Sequence, residues 1–258
     1  MFKIATWNVN SLRVRLAHVL AWLTAEQPDV LAIQETKLTD DAFPIQEFAG
    51  IGYLAAFTGQ KTYNGVAILS KYPGQVIATA LPAYPDPQKR LLCVEFNGVC
   101  VLNLYVPNGS EVGSEKYRYK LEWLSHLKGY TDDLLRNYPK CVVLGDFNIA
   151  PTDADVHDPQ EWTGKVLCSG PEREAFFKLV HSGLVDCYRL FPQQEPAYSW
   201  WDYRAAGFRR NRGLRIDHIL AATELAQHCK SCRIDIAPRK LERPSDHAPV
   251  VAEFEVWT

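Results

Sequence analysis

The sequence predicts an α/β protein with a mixed sheet, and three observations carry that prediction. Short apolar runs of strand length alternate with longer segments of helical period. Two of those runs, LLCVEF and VCVLNLYV, are joined by Asn97-Gly98, the dipeptide that most favours a tight hairpin, so at least one strand pair is antiparallel. No internal repeat, low-complexity tract or linker-like stretch interrupts the 258 residues, and 47% of them are hydrophobic, so one domain (1–258) with a substantial core is the simplest organisation.

The elements follow in order. FKIATW, from Phe2, reads as a strand, and Leu12 to Ala25 as an amphipathic helix. DVLAIQ is a continuous apolar run of the kind a strand buried on both faces shows. After the hairpin, helical pattern returns over Glu115 to Asn137 and over Glu172 to Ser182, with the apolar run CVVLG between them. Near the C-terminus GLRID places Asp217 inside an otherwise apolar strand, and VVAEFEV reads as the last strand.

The first residues, MFKIATWNVNSLRVR, have neither the apolar h-region of a signal peptide nor the length of a membrane span, so the protein is expected in the cytoplasm and without a membrane partner. A monomer is expected. Seven scattered cysteines, several of them inside apolar runs, behave as small reduced hydrophobes. Cys229 and Cys232 form CKSC, but zinc would need a second pair or suitably spaced His residues, and neither is present. The net charge of −2 argues against a polyanion partner until its distribution is considered. Tyr203 to Arg215, YRAAGFRRNRGLR, carries five Arg and no acid, whereas Asp153 to Asp158 is acidic. Such a run is ordinarily a solvated surface; beside SWWDY it also has the arginine-plus-aromatic character of a nucleic-acid surface.

The apolar runs end in a recurrent way. FKIATW leads to Asn8 and Asn10, VLAIQ to Glu35 and Lys37, VCVLNL to Tyr105 and Asn108, and CVVLG to Asp146 and Asn148, while RPSDHAPV delivers Asp246 and His247 before the last strand. In open α/β sheets ligands bind where strands end. Each residue alone has a structural reading: Asp146 could cap the next segment, Asp217 could be a satisfied core carboxylate, and Ser245-Asp246 could be a turn. Together they offer oxygen ligands for a hard cation, Mg²⁺ or Mn²⁺ (Glu35, Asp146, Asp246, and the amides Asn8, Asn10 and Asn148), with a His and a carboxylate partner beside them. No nucleophile elbow and no Gly-rich phosphate loop is present. Metal-assisted hydrolysis of a phosphate ester fits this set.

WNVNSLR, IQETKL, YNGVAILSK, NLYVPNG, LGDFNIAP, SWWDYR, NRGLRIDHIL and ERPSDHAPV together resemble the exonuclease III family of DNA-repair nucleases, the apurinic/apyrimidinic endonucleases of the endonuclease/exonuclease/phosphatase superfamily. The motifs run in family order across essentially the whole chain. The resemblance implies a four-layered α/β sandwich, two mixed sheets face to face with helices on both outer sides. It implies Mg²⁺ bound by Glu35, with Asn8 and Asn10 close by, Asp246 as a second carboxylate, and Asp146, Asn148 and His247 within the metal-centred set. It further implies that Asp146 orients or deprotonates the attacking water, Asn148 fixes that water and a phosphate oxygen, Asp217 holds His247 as an imidazolium against the phosphate, and Tyr105 contacts the phosphate or the leaving oxygen. Trp200, Trp201 and Leu214 match the place where relatives enclose a flipped-out abasic sugar, one Trp being expected in the core. Asn108, Arg209, Arg210, Arg212 and Arg215 would hold DNA. The implied partner is duplex DNA with abasic sites or 3′ ends. A superfamily hydrolase of inositol phosphates or sphingomyelin would leave NRGLRID and the arginine stretch unexplained, and a catalytically silent DNA-binding module would have no need of Glu35, Asp146, Asn148 and His247 together. The loop QEWTGKVLCSGPE, 160–172, is the segment expected to set which DNA end or lesion is preferred.

Overall fold

The computed structural model describes residues 1–193 and 197–255. Among them the elements follow as β1 (Phe2–Asn8), α1 (Leu12–Glu26), β2 (Val30–Gln34), α2 (Ile45–Ala49), β3 (Leu54–Thr58), β4 (Val66–Ser70), β5 (Gln75–Ala78), β6 (Leu91–Phe96), β7 (Val99–Tyr105) and α3 (Glu115–Asn137). The second half contributes β8 (Cys141–Asp146), α4 (Pro159–Trp162), α5 (Gly170–Val180), β9 (Leu184–Asp186), β10 (Trp200–Trp201), β11 (Gly213–Leu214), β12 (Asp217–Ala222), α6 (Thr223–Ala226), β13 (Cys229–Ile234) and β14 (Val250–Phe254).

Two six-stranded mixed sheets result, in the orders β13-β14-β1-β2-β4-β3 and β5-β6-β7-β8-β12-β9, with a short β10-β11 ribbon beside them. Strand alternation decides what each face buries. Ile4, Val30, Ala32 and Ile68 of the first sheet meet Val94, Val101, Val142 and Leu144 of the second in one inter-sheet core. On the outer face of the second sheet, Leu102 and Val143 pack under Trp123, Leu127 and Phe176 of α3 and α5. On the outer face of the first, Ala5, Leu31 and Leu69 pack under Val19, Leu23 and Phe48 of α1 and α2. Helix, sheet, sheet, helix is the four-layered order the sequence motifs imply.

The expected helices at 12–25 and 115–137 lie within a residue of those ranges. The helix expected over 172–182 begins two residues earlier, at Gly170, because Ser169 and Glu172 form a capping box and Pro171 sits in the first turn. GLRID is not one strand. β11 ends at Leu214, Arg215 turns into a buried ion pair, and Asp217 opens β12 instead of lying within a strand. The last expected strand is β14; its final residue, Val256, lies outside the described residues.

Register brings the polar strand ends together. β7 runs parallel to β8 with Tyr105 opposite Asp146, and β12 runs antiparallel to β8 with Asp217 opposite Asp146. Tyr105, Asp146 and Asp217 therefore lie in one row across three neighbouring strands. Gly145, just before Asp146, has φ +139°, and a Cβ there would fall 2.0 Å from the Leu104 carbonyl oxygen, so only glycine permits this close parallel pairing. From the facing sheet, β1 and β2 run parallel and deliver Asn8 and, one residue beyond β2, Glu35.

Candidate active site

At the shared edge of the two sheets the backbone leaves its ordinary regions. Asn10, Glu35, Lys37 and Asn148 all have φ between +45° and +54°. Non-glycine residues seldom stay in the left-handed region unless their surroundings hold them there, and such residues gather at functional sites.

A network of hydrogen bonds holds them. Asn8 donates from its amide nitrogen to Glu35 Oε1 (2.9 Å) and to Asp146 Oδ2 (2.9 Å), so one side chain bridges carboxylates from both sheets. Its amide oxygen is taken by the Asn10 backbone N–H (2.9 Å). Lys37 Nζ lies 3.0 Å from Glu35 Oε2 and donates to Asn10 Oδ1 (2.6 Å). Asn10 donates in turn to Asp246 Oδ1 (2.9 Å), and Trp200 Nε1 donates to Asp246 Oδ2 (3.0 Å). Burial works against the Asp246 carboxylate, but His247 and these two donors hold it below the usual carboxylate range.

His247 is buried between carboxylates. Its Nδ1 lies 2.9 Å from Asp217 Oδ2, and its Nε2 faces Asp146 Oδ2 at 3.8 Å, too long for a hydrogen bond. Burial disfavours the imidazolium; the Asp217 and Asp146 charges outweigh burial and raise His247 to about 10. Asp146 is pushed up to about 7 by burial, against the opposing pull of His247 and its hydrogen bonds from Asn8 and the Asn148 backbone. With Nδ1 committed to Asp217 and Nε2 turned toward Asp146, the ring is placed to carry a positive charge and to donate hydrogen bonds.

Asn148 donates to the Val106 carbonyl oxygen (3.0 Å) and lies 3.3 Å from Asp146 Oδ2, while its own oxygen accepts from the exposed Asn108 (3.0 Å). Tyr105 is held protonated: burial first, then the Glu35 and Asp146 charges, raise it well above 10. Its ring lies 4.8 Å beneath the Arg90 guanidinium carbon. A cavity of ≈ 470 Å³ opens beside Tyr105 and Asn108, lined also by Asn64, Arg90 and Lys116.

The donor set fits a hard divalent cation. Four carboxylates, Glu35, Asp146, Asp217 and Asp246, stand in this network against two cationic groups, Lys37 and His247, which leaves an excess of negative charge lined by oxygen donors and no thiol. Asp146, Asp217 and His247 lie close enough together to form a ligand group geometrically, but Asp217 already serves His247. Asn8 and Asn10 turn amide nitrogens toward the carboxylates and brace them. Glu35 and Asp246 are the carboxylates of this set that remain partly exposed.

The expected DNA-contacting residues divide. Trp201 is core, 2% exposed, stacked edge-on against Phe208, as one of the two tryptophans was expected to be. Leu214 is fully buried with Val156, Leu167 and Ile216, and Trp200 covers that cluster from outside together with Trp162, a residue of the 160–172 loop. Trp162 and Trp200 meet at 88° and line a second cavity of ≈ 300 Å³ with His157, Arg204 and Arg212. Arg209 and Arg210 are exposed. Arg212 is tied to Glu161 (2.6 Å).

Arg215 does not face solvent. It is 1% exposed and bonded to Asp155 (2.6 Å) and Asp186 (2.7 Å), so its expected phosphate contact is replaced by a structural ion-pair cluster. Burial alone would raise Asp155, yet Arg215 and Arg189 hold it below the usual range. The acidic stretch at 153–158 and the arginine stretch at 203–215, opposites in sequence, thus partly neutralise one another in space.

Arg90, Lys120 and Trp162 are members of the site that motif reading did not single out, and Lys37 was noted there only as a strand-end charge. Lys120 had a visible signal: it falls on the apolar stripe of α3, between Tyr117 and Trp123, where a lysine is out of place.

Two mixed sheets face to face, with carboxylates, amides and an imidazolium converging where strands of both sheets end, define the phosphoesterase class of α/β sandwich. The chain belongs to the Endonuclease/Exonuclease/phosphatase family, whose model matches residues 5–247. It is 37% identical to an exodeoxyribonuclease III of Haemophilus influenzae, over 98% of this chain and 100% of that protein. Among solved structures it is similar to a 3′ phosphatase from Neisseria bound to product DNA hairpin (46% identical, TM-score 0.97, 100% of both chains). It is also similar to an AP endonuclease from Archaeoglobus fulgidus (42% identical, TM-score 0.95, 99% of this chain and 100% of that one).

Proposed function

We propose that the protein is a Mg²⁺-dependent DNA-repair nuclease that hydrolyses DNA phosphodiesters at abasic sites or at 3′ ends of duplex DNA. The observation that carries this reading is the pairing of a buried imidazolium, His247, with a carboxylate of raised pKa, Asp146, 3.8 Å away, beside a partly exposed acidic pair suited to a hard cation. The relatives, named for exonuclease, 3′ phosphatase and AP endonuclease activities, support DNA as the substrate.

The roles follow from the geometry. Asp146 takes the proton of the attacking water, its pKa of about 7 suiting a base at neutral pH. Asn148 holds that water and a phosphoryl oxygen. His247, kept protonated and oriented by Asp217, donates from Nε2 to the phosphoryl oxygens as negative charge builds there. Tyr105 donates its proton-bearing hydroxyl to the same group. A divalent cation held by Glu35 and Asp246 would supply charge neutralisation at the departing 3′ oxygen. Trp200 and Trp162, seated on the buried Leu214 cluster, receive the sugar at the lesion, and Asn108, Arg209 and Arg210 hold the backbone on either side. The whole chain works as one catalytic domain, as a monomer, and its seven free thiols suit the reducing cytoplasm. No helix among the described residues is long and apolar enough to cross a membrane.

Purified protein with Mg²⁺, with and without chelator, tests this against labelled intact duplex, duplex with one abasic site, duplex with a 3′-phosphate at a nick, and an inositol phosphate. Chelator-sensitive cleavage of one or more of the DNAs is expected. Cleavage of the inositol phosphate alone would replace DNA as the substrate.

A further inference from the structure

Lys120 is buried completely, with Glu172, beneath the loops that carry Asn108 and Asn148. Each of its three ammonium N–H groups has an acceptor: the Asn108 carbonyl (3.1 Å), the Asn148 carbonyl (2.7 Å) and Glu172. Glu172 reaches on to the Leu167 backbone N–H (3.0 Å) and the Ser169 backbone N–H (3.1 Å). One ion pair therefore joins α3, the ends of β7 and β8, and the start of α5. The lysine stem also runs under Gly109, where a Cβ would come within 3.1 Å of Lys120 Cδ.

Such a pair is a poor choice for stability alone. Removing two ions from water is costly, and apolar residues of similar volume commonly stabilise as well or better. What an apolar residue could not do is bond two carbonyls at once. Asn148 sits in the left-handed region, and its amide is linked to Asn108 on one side and Asp146 on the other. A rotation of either peptide unit would disturb the chain from Asn108 through the Asn148 amide to Asp146.

We infer that Lys120 is a positioning residue for the hydrolytic step, which fixes the Asn148 amide against Asp146, and Asn108 against Asn148, by clamping the two backbone carbonyls beneath them. The inference rests on the nuclease reading for its rate effect and stands apart from it for the placement of the amides. Burial lowers the lysine pKa and the Glu172 charge opposes that; the three acceptors around Nζ are what the ammonium form satisfies.

Two variants separate the clamp from stability. Lys120→Met combined with Glu172→Gln removes the carbonyl clamp and buries no charge; Glu172→Gln alone keeps both carbonyl bonds. Each is compared with wild type by thermal melting, by kcat and KM on nicked duplex DNA, and by the side-chain amide NMR resonances of Asn108 and Asn148, with remote Asn137 as control. The double variant is expected to stay folded, to lose about 10-fold or more in kcat with KM little changed, and to shift the Asn108 and Asn148 resonances while Asn137 stays in place. Glu172→Gln alone is expected to keep kcat and both resonances even where its melting temperature falls. A folded double variant with wild-type amide resonances, or kcat losses equal in the two variants, overturns the inference. If wild type cleaves no DNA, the nuclease reading fails and the amide comparison decides the clamp by itself.

Discussion

His247 Nδ1 lies 2.9 Å from Asp217 Oδ2, and this contact is the largest favourable contribution to keeping the imidazole charged. With a folded pKa of about 10, above the ordinary 6.5, the ring is protonated throughout the neutral range, and that state is lost as pH rises through about 10. Asp217→Asn removes the charge and keeps the size. The alkaline limb of the kcat profile should then move to lower pH, because the imidazolium loses its proton sooner. A pH–rate series on wild type and variant decides it; coincident alkaline limbs would remove His247 from the donor role.

Asp146→Ala should abolish cleavage without unfolding the protein. The carboxylate is buried and raised in pKa, so the native fold bears a cost for holding it ionised above about pH 7 and does not depend on it. Loss of a central base typically costs ~10²-fold or more in rate. Circular dichroism and melting show whether the fold persists, and single-turnover cleavage reads the rate. A folded variant with near-wild-type turnover contradicts the assignment.

Arg215 and the pair Arg209 and Arg210 should behave oppositely. Arg215→Met leaves Asp155 with Arg189 alone and Asp186 without its guanidinium, and breaking a buried ion pair on one side costs roughly 3–5 kcal/mol. Chemical denaturation should show that loss. Changing Arg209 and Arg210 together to Ala should leave stability alone and weaken the salt dependence of duplex binding, the slope of log K against log[salt] shrinking by roughly 0.9 for each phosphate the variant no longer neutralises. An unchanged slope would take those two residues off the backbone.

Much of this was legible beforehand, for a local reason. The strand-end residues are set by sequence-adjacent signals, an apolar run and then a polar residue, so Tyr105 and Asp146 could be assigned to strand ends, while Asp217, read as lying inside a strand, joined their row only through the register of β12 on β8. Side-chain fate at 213–217 was not legible, because whether Arg215 points out or in depends on Asp155, 60 residues earlier. The same holds for Trp200 and Trp201, neighbours on a strand whose faces see different surroundings, the first the site and the second a core with Tyr198 and Ala248. Lys37 was seen only as a strand-end charge. Its place between Glu35 and Asn10 needs the left-handed turn that no propensity rule would assign to lysine.

His218, next to Asp217, should make the protein acid-sensitive without taking part in chemistry. Its Nε2 bonds the Ile149 carbonyl (2.9 Å) and its Nδ1 meets Arg215 Nη1 (3.1 Å), so the ring is neutral, with the proton on Nε2 and the lone pair of Nδ1 accepting from the guanidinium. It packs against Phe147 and Phe176 and is fully buried. Burial first and then the Arg215 charge lower its pKa to about 4. The unfolded chain, titrating near 6.5, binds a proton that the folded chain refuses between those values, so the stability contribution is complete above about 6.5 and lost as pH falls toward 4. A drop of that size corresponds to roughly 3 kcal/mol. Urea denaturation from pH 7 to pH 4 should show wild type losing about that much more than His218→Gln, which cannot titrate, whatever the two proteins' absolute stabilities at pH 7. Parallel stability curves for the two would mean that the acid-labile element lies elsewhere.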